Sequence, residues 1–554
     1  MEEDKGDNSC PRMYGNLFKY HWRGIIMFLA PVMLLPLVVP NYEKPLRCLY
    51  VFLLLSIYWL AGVVPLYATG ILPIVLMPFM GILDSDEICK QYFTVPLAMY
   101  IGGVMVGLSS ESCNLSGQIA LGLLSFIGVS PRRVVLALIL TTGFISMWMQ
   151  NTITTAIMLP IAKAILEEFE VNGLRTREDK KPNQEEEDRG ATHLATGYYL
   201  AIAYAATIGG CATLLGSATN FATKGMYENL FPNTTDYIHF PKAMAYNIPW
   251  VIVALFLLYF SLSITHFGLF RPKGETAAAL SGFAKSSKDV AEVVKVKLEN
   301  IGGMNIHKTQ VLILCVVLVM ALTFRSPEFM QGWGDALNKY NFILGATPVI
   351  AIVLLLFYLP ANYNYLKYCG GKGPFPNNPT PPLLSWKYVN NNFPWGIIFI
   401  MGSGFGITKA YMDTGLSHWL SGKLSYLEGI PVPVLQLFAI FIGVFFTMFT
   451  MNVAAANVAI PIVAEMARNA KTHPINLIYP AGLACSISFL FPISTPPNAL
   501  VAKEAKIGAK KMFLAGLMPT FMTMALIFVN SVSVHYLLYP DAKEFPDWAT
   551  LPEK

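Results

Sequence analysis

Charge is scarce in this chain. Of 554 residues only 13% are charged and 54% are hydrophobic, whereas an ordinary soluble domain is about 25% charged. A soluble core of this length would need a charged shell, and the residues to build one are missing. Cysteine pairing is missing too. Eight cysteines lie scattered with no paired spacing, which argues against a disulfide framework and against a zinc site. No HExxH, no GxSxG and no phosphate-cradling GxxxxGK[ST] stands in the sequence. A metalloprotease, a serine hydrolase and an ATP-driven pump are therefore not indicated. The histidines fall mostly near segment ends and form no cluster with carboxylates inside the apolar segments, so no enzyme is expected. The net charge of +5 is modest and its basic residues sit in loops and tails. They speak to topology and not to nucleic acid.

What the chain does have is apolar length. Segments 24–40, 49–82, 134–162, 247–265, 309–323, 342–359, 394–407, 434–463 and 512–534 carry hardly a charge. A spanning helix needs about 20 mostly apolar residues, so the expected fold is an all-α polytopic membrane protein with about eleven transmembrane helices plus re-entrant segments. The polar start up to Tyr20 runs straight into an apolar stretch, so the first span is expected to direct insertion. Three polar stretches interrupt the rest: 171–193 with mixed charge, 271–308 with Lys285, Lys288, Lys295 and Lys297, and 361–393 rich in Asn, Pro and Gly. With Lys19 and Arg23 at the membrane edge, the positive-inside rule puts the tail 1–20 and the 271–308 loop in the cytoplasm. The tail 541–554 is then expected outside. Two halves remain, 21–270 and 309–540. Asn233-Thr234-Thr235 matches a glycosylation acceptor pattern that is common by chance.

The halves repeat one another. Asn151 in SMWMQNTITTAIMLP and Asn452 in TMFTMNVAAANVAIP stand 301 residues apart. Pro160 and Pro461, Gly103 and Gly404, and Leu115 and Leu416 keep the same offset. A second Asn-bearing loop follows each motif: Gly209-Gly210 with Gly216-Ser217-Ala218-Thr219-Asn220, then Ser494-Thr495-Pro496-Pro497-Asn498. Internal repeats in a membrane chain are the usual design of secondary carriers, with the binding site at the repeat interface. Asn and Thr are costly in lipid unless satisfied. Irregular backbone at membrane depth is tolerated only where protein or a watery cavity covers it. Re-entrant hairpins near 130–170 and 430–468, and broken helices near 195–230 and 475–505, satisfy both conditions. Helix ends and free amides there favour an anion, and carbonyls and hydroxyls favour a hard cation such as Na+. Among ionisable residues in apolar surroundings, Glu111 and Lys409 lie in the paired Gly segments. Lys163 and Glu465 are expected to reach the interface with their heads. Lys224 stands one turn past Asn220 and is expected at the surface or in an ion pair.

At these motifs the chain resembles the divalent anion–sodium symporter family, and within it the animal Indy-type citrate and dicarboxylate carriers. The resemblance runs from about residue 20 to about residue 535. It implies two inverted repeats, scaffold and transport domains, a homodimer in the plasma membrane and an elevator motion. By motif it implies that Asn151, Thr152 and Asn452 bind a substrate carboxylate, with Ser217 and Val453 beside them. Ser146, Gln150, Asn151 and Gly216 would surround one cation, and Thr447, Asn452, Thr495 and Asn498 the other. The family places Ser-Asn-Thr at each hairpin tip. Here the tips read Gln150-Asn151-Thr152 and Met451-Asn452-Val453, so the second lacks both hydroxyls. A hydrogen bond to a charged group contributes about 1.5–3 kcal/mol, and a thioether is a soft ligand where a hard cation wants oxygen. The resemblance implies carriage of citrate or succinate-like anions by symport or antiport. The altered tips leave the coupling mode open, and with it two alternatives: a carrier of another anion such as sulfate or a monocarboxylate, and a transport-dead sensor with the same fold. No cofactor beyond Na+ is expected.

Overall fold

A computed structural model describes residues 10–39, 42–127, 131–178, 190–270, 287–327, 330–337, 342–369, 378–421 and 428–550. Parts of the polar stretches read from the sequence, including 271–286 with Lys285, lie outside these residues. The described chain is built of helices, with two isolated β-bridges, Arg177 to Ala191 and Pro360 to Pro382. Seven helices are long and apolar enough to cross a membrane: Tyr20–Leu37, Lys44–Ala61, Ser85–Ser112, Phe240–Thr265, Ile306–Thr323, Val432–Phe449 and Ala509–Leu538. Shorter apolar helices, among them Ala346–Tyr358 and Ile475–Ala484, supplement them.

The repeat is visible as two pairs of abutting helices. In the first half, Pro131–Ser146 and Asn151–Val171 are separated by a short turn and pack on each other. In the second, Val432–Phe449 and Asn452–Asn469 do the same. We call these pairs the first and second hairpins. Pro160 and Pro461 lie inside the second arms, which continue through them. The expected break therefore falls nine residues earlier, at the turn before each Asn. There the chain reverses, and the missing amide of Pro is tolerated within the arm.

Each hairpin packs on a helix that is itself interrupted. His193–Gly210 stops, residues 211–217 are irregular, and Ala218–Leu230 resumes. Ile475–Ala484 stops, 485–495 are irregular, and Pro496–Glu504 resumes. Small residues allow the close contact. A Cβ on Gly209 would lie 2.3 Å from the Gly143 carbonyl, and one on Gly443 would lie 2.6 Å from the Ala481 carbonyl. Here backbone meets backbone, and only glycine fits.

The halves then exchange partners. Ala218–Leu230 of the first half packs on the second hairpin's arm Asn452–Asn469, and Pro496–Glu504 of the second half packs on the first hairpin's arm Asn151–Val171. Val95–Ser112, Ile306–Thr323 and Ala346–Tyr358 pack together as a further group, and Val95–Ser112 also packs on Ala218–Leu230.

Two polar segments differ from the simple loops expected. Within 271–308, Ser287–Ile301 is a helix packed on Leu115–Ile127 and on the first hairpin. Val294 is buried, Leu298 and Ile301 are partly buried, and the three follow the i, i+4, i+7 spacing of an amphipathic helix. Buried Lys308 closes its end, donating to the carbonyls of Ile301 at 3.0 Å and Gly302 at 3.3 Å and to Gln118 Oε1 at 2.9 Å. The carboxyl segment folds back as well. Trp548 packs edge-on against Phe231 and His473, and the Asn476 amide donates to Ala542 O at 2.7 Å. That places the segment on the same face of the molecule as exposed Asn233.

Candidate site at two interrupted helices

The two asparagines of the repeat begin the second hairpin arms, one at the first residue of each helix. Both are nearly buried, Asn151 at 5% exposure and Asn452 at 7%. The arms' free amides are thus aimed at the tip, the partial positive end of a helix dipole.

Around Asn151 the oxygens converge. Its side-chain head lies 2.9 Å from Gly216 O, 2.9 Å from Ser146 Oγ and 3.1 Å from Ala206 O. Three acceptors so close call for a donor, which the amide nitrogen supplies. A hard cation among the same oxygens would instead call for the amide oxygen. Ser146 Oγ donates to Ala206 O at 2.7 Å and so ties the first arm to the interrupted helix. A Cβ on Gly216 would stand 2.6 Å from both Gly210 O and Ser146 O, and a Cβ on Gly210 would stand 1.8 Å from the Asn151 amide head. The glycines are therefore the condition for the cluster. Gln150 caps the arm without a side-chain cap bond, and its buried Nε2 has no partner. Thr152 is half-buried. Ser217 is buried and caps the resumed helix, accepting from Thr219 N at 3.3 Å.

The second site repeats this plan with different atoms. Thr447, in register with Ser146, places Oγ1 2.8 Å from Gly443 O and 2.9 Å from Cys485 O. Thr495, in register with Ser217, caps Pro496–Glu504 by accepting from Asn498 N at 3.4 Å. Asn452 Oδ1 accepts from the backbone amide of buried Val453 at 3.0 Å. The Val453 side chain offers nothing polar. Beside it Thr450 is buried with its hydroxyl unpartnered, a polar atom at the tip that the repeat motifs did not single out.

The two irregular loops are stapled identically. The Asn220 amide nitrogen donates to Gly210 O at 2.9 Å and Thr213 O at 2.7 Å. The Asn498 amide nitrogen donates to Ser488 O at 3.3 Å and Phe491 O at 3.2 Å. Each asparagine thus reaches back ten and seven residues; Asn220 holds the last residue of His193–Gly210 and the loop after it, and Asn498 holds two carbonyls of the loop 485–495. Both Oδ1 atoms are buried without a partner. A strut joins the halves here: Tyr204 OH donates to Phe489 O at 3.1 Å.

The donor set is all oxygen, from carbonyls, hydroxyls and amides, and several of its atoms are unpaired. It fits a hard monovalent cation such as Na+. In the first cluster Ser146, Asn151 and the carbonyls of Gly210 and Gly216 are the residues that would hold one, and in the second Thr447 and Asn498. Bound there, a cation would supply positive charge next to the hairpin tips.

The ionisable residues sort themselves differently from the sequence expectation in one case. Lys163 is half-exposed and pairs with Glu504 at 2.7 Å, and Lys224 pairs with Glu228. Glu465 does not reach the interface: it is 1% exposed. Arg468, three residues on, meets its Oε1 at 2.5 Å, donates to Ser417 Oγ and Leu230 O at 2.7 Å each, and stacks on Phe231 with 4.3 Å to the ring centre. A carboxylate whose Oε1 accepts from a guanidinium one turn away and from the Ser417 hydroxyl can stay buried. Arg468, held by Glu465, therefore ties the second hairpin to Ala218–Leu230 of the first half.

Comparison with known proteins agrees with this construction. Residues 19–539 match the family described as the sodium:sulfate symporter transmembrane region. The chain is 39% identical to the protein "I'm not dead yet" of Drosophila melanogaster, over 100% of this chain and 95% of that one. It is 32% identical to the Na(+)/dicarboxylate cotransporter 3 of Rattus norvegicus, over 95% and 94%. It is 31% identical to the Na(+)/citrate cotransporter of the same animal, over 95% and 97%. A full-length likeness of this kind, together with the apolar spans, makes the chain a multi-pass membrane protein and a member of the divalent anion–sodium symporter family of transporters, in its Indy-type branch.

Proposed function

We propose that this protein is a secondary active carrier of di- and tricarboxylates such as succinate and citrate. The observation that carries the reading is the pair of hairpin tips, each presenting a buried Asn at a helix start beside an all-oxygen cluster. Asn151, Thr152, Ser217 and Asn452 bind the substrate carboxylates through amides, hydroxyls and the positive helix ends. Val453 shapes the pocket without a polar contact. The oxygen clusters behind the tips, including Gln150 and Gly216 in one and Thr447, Thr495 and Asn498 in the other, hold the coupling cation.

The moving body comprises the hairpins and interrupted helices, and it slides against the group formed by Val95–Ser112, Ile306–Thr323 and Ala346–Tyr358. Support for the division comes from the exchange of partners between halves, reinforced by the Glu465–Arg468 and Lys163–Glu504 pairs. The assembly is a homodimer in the plasma membrane with the amino terminus in the cytoplasm.

The first cluster is complete in oxygens, whereas the second tip carries Met451 and Val453. Coupling is accordingly expected to depend on the first cluster. Uptake of labelled succinate and citrate into proteoliposomes, in sodium and in choline, with and without internal anion, tests this. Sodium-dependent uptake supports symport through the first cluster. Uptake that ignores sodium and needs internal anion makes the protein an exchanger. Uptake of neither substrate under any condition refutes the proposal.

A further inference from the structure

Between Ile306–Thr323 and the tip of the first hairpin lies a cleft of about 340 Å³ that the carboxylate reading does not use. Leu312, Val316 and Met320 form one wall, and Phe144, Trp148 and Met149 the other. No charged side chain lines it, and its hydroxyls and thiol are already engaged, which leaves the Trp148 indole N–H as the remaining donor on its wall. Ser110 Oγ and Cys315 Sγ face each other at 3.6 Å, and Ser116 Oγ donates to Met149 Sδ at 3.0 Å. A carboxylate placed here would lose its hydration and gain at most one donor, the Trp148 indole N–H. A water needs two to four polar partners and finds few.

The cleft nonetheless opens outward. Leu312 is 36% exposed, Val316 54%, Met320 52% and Phe144 47%. Residues 312–320 cover ~12 Å of helix at 1.5 Å per residue, inside a span that crosses the hydrocarbon layer. What surrounds an apolar opening at that depth is lipid chain.

We propose that this cleft takes a lipid acyl chain, entering sideways from the bilayer and packing between Ile306–Thr323 and the first hairpin tip. The chain lies against Met149, two residues ahead of Asn151. It covers apolar wall that would otherwise face a void, which dispersion and transfer both favour. A consequence follows for the hairpin: a chain in the cleft must leave, or move with the tip, when the tip shifts along Ile306–Thr323. That consequence rests on the transport reading, whereas occupancy of the cleft does not.

Tryptophan quenching in vesicles tests occupancy. The full-length protein is reconstituted in phosphatidylcholine with brominated acyl chains, and the Trp148 emission is isolated by subtracting a Trp148→Phe variant. Bromine is expected to quench Trp148, and aqueous iodide is not. Cys315→Phe fills the cleft and is expected to remove most of that quenching. Should this variant fold poorly, Gly107→Val fills the same space, since a Cβ there meets Met149 only at 3.8 Å. Quenching by iodide would show a water-filled crevice and overturn the proposal. Absence of quenching by either agent would show an empty cleft and overturn it equally. Bromine quenching that survives both filling variants would assign it to lipid elsewhere around Trp148, again against the proposal. Uptake by the filled variants reads the consequence separately: a slowed rate supports it, and an unchanged rate removes it while leaving occupancy standing.

Discussion

Replacing Asn220 by alanine removes the side-chain amide and with it the two bonds that its nitrogen donates. Gly210 O and Thr213 O lose donors at 2.9 and 2.7 Å, in a place where Asn220 itself is 7% exposed. A neutral hydrogen bond contributes about 1 kcal/mol net, and a buried group left unsatisfied costs about 1–3 kcal/mol. The loop after Gly210 can turn one carbonyl toward the site, so the expected loss is about 2–4 kcal/mol. The same change at Asn498 removes bonds of 3.3 and 3.2 Å. Longer bonds are weaker, so Asn498→Ala is expected to cost less, about 1–2 kcal/mol. Thermal unfolding of purified protein, with and without sodium, measures both. Asn220→Ala should unfold at the lower temperature of the two and should lose any stabilisation by sodium. The reasoning fails if Asn220→Ala unfolds like the unaltered protein, or if Asn498→Ala is the more damaging change.

Other consequences can be measured alongside. Gly216→Ala drives a Cβ to 2.6 Å from two backbone carbonyls, so it is expected to abolish uptake. Gly122→Ala, in a helix with nothing within 4 Å, should be neutral or stabilise by about 0.5–1 kcal/mol, the helix penalty of glycine. Glu465→Gln leaves Arg468 without its counter-charge at a buried place and is expected to cost about 3–5 kcal/mol, read as a large fall in unfolding temperature. Asp236, half-buried in the loop before Phe240–Thr265, has its carboxyl held below the usual carboxylate range, chiefly by the His473 hydrogen bond at 3.1 Å. A depressed acid contributes stability above its unfolded pKa, near 4, and loses it as pH falls through the folded value. The unaltered protein should therefore lose stability more steeply below about pH 4 than Asp236→Asn does, and parallel curves would refute the pairing.

Much of the site was legible because the chain repeats itself. The offset of 301 residues singled out Asn151 and Asn452, and the structure puts each at the start of a hairpin arm. The second offset singled out Asn220 and Asn498, but not what they do. A reach of ten and seven residues back to carbonyls depends on how the irregular loop curls, and side-chain spacing does not encode that. The burial of Glu465 is hidden from the sequence for a related reason. Its partner Arg468 stands in the obvious i+3 position, yet an ion pair of that spacing is equally at home on a surface. Ser417, Leu230 and Phe231 bury it, and all three are distant in sequence. The helix Ser287–Ile301 was hidden by composition, since its lysines mark a loop while Val294, Leu298 and Ile301 carry the helical period. The Tyr204–Phe489 strut left no sequence signal, because neither residue belongs to the repeat.

The central claim is that the two hairpin asparagines form one carboxylate site, and uptake of labelled succinate by Asn151→Ala and Asn452→Ala in proteoliposomes tests it most directly. Both variants are expected to fold, as read by unfolding temperature, and to lose uptake by about a hundredfold or more relative to the unaltered protein, the effect of losing about 2.7 kcal/mol of binding at about 1.4 kcal/mol per tenfold. Succinate uptake that persists at the original rate in either variant would contradict the account.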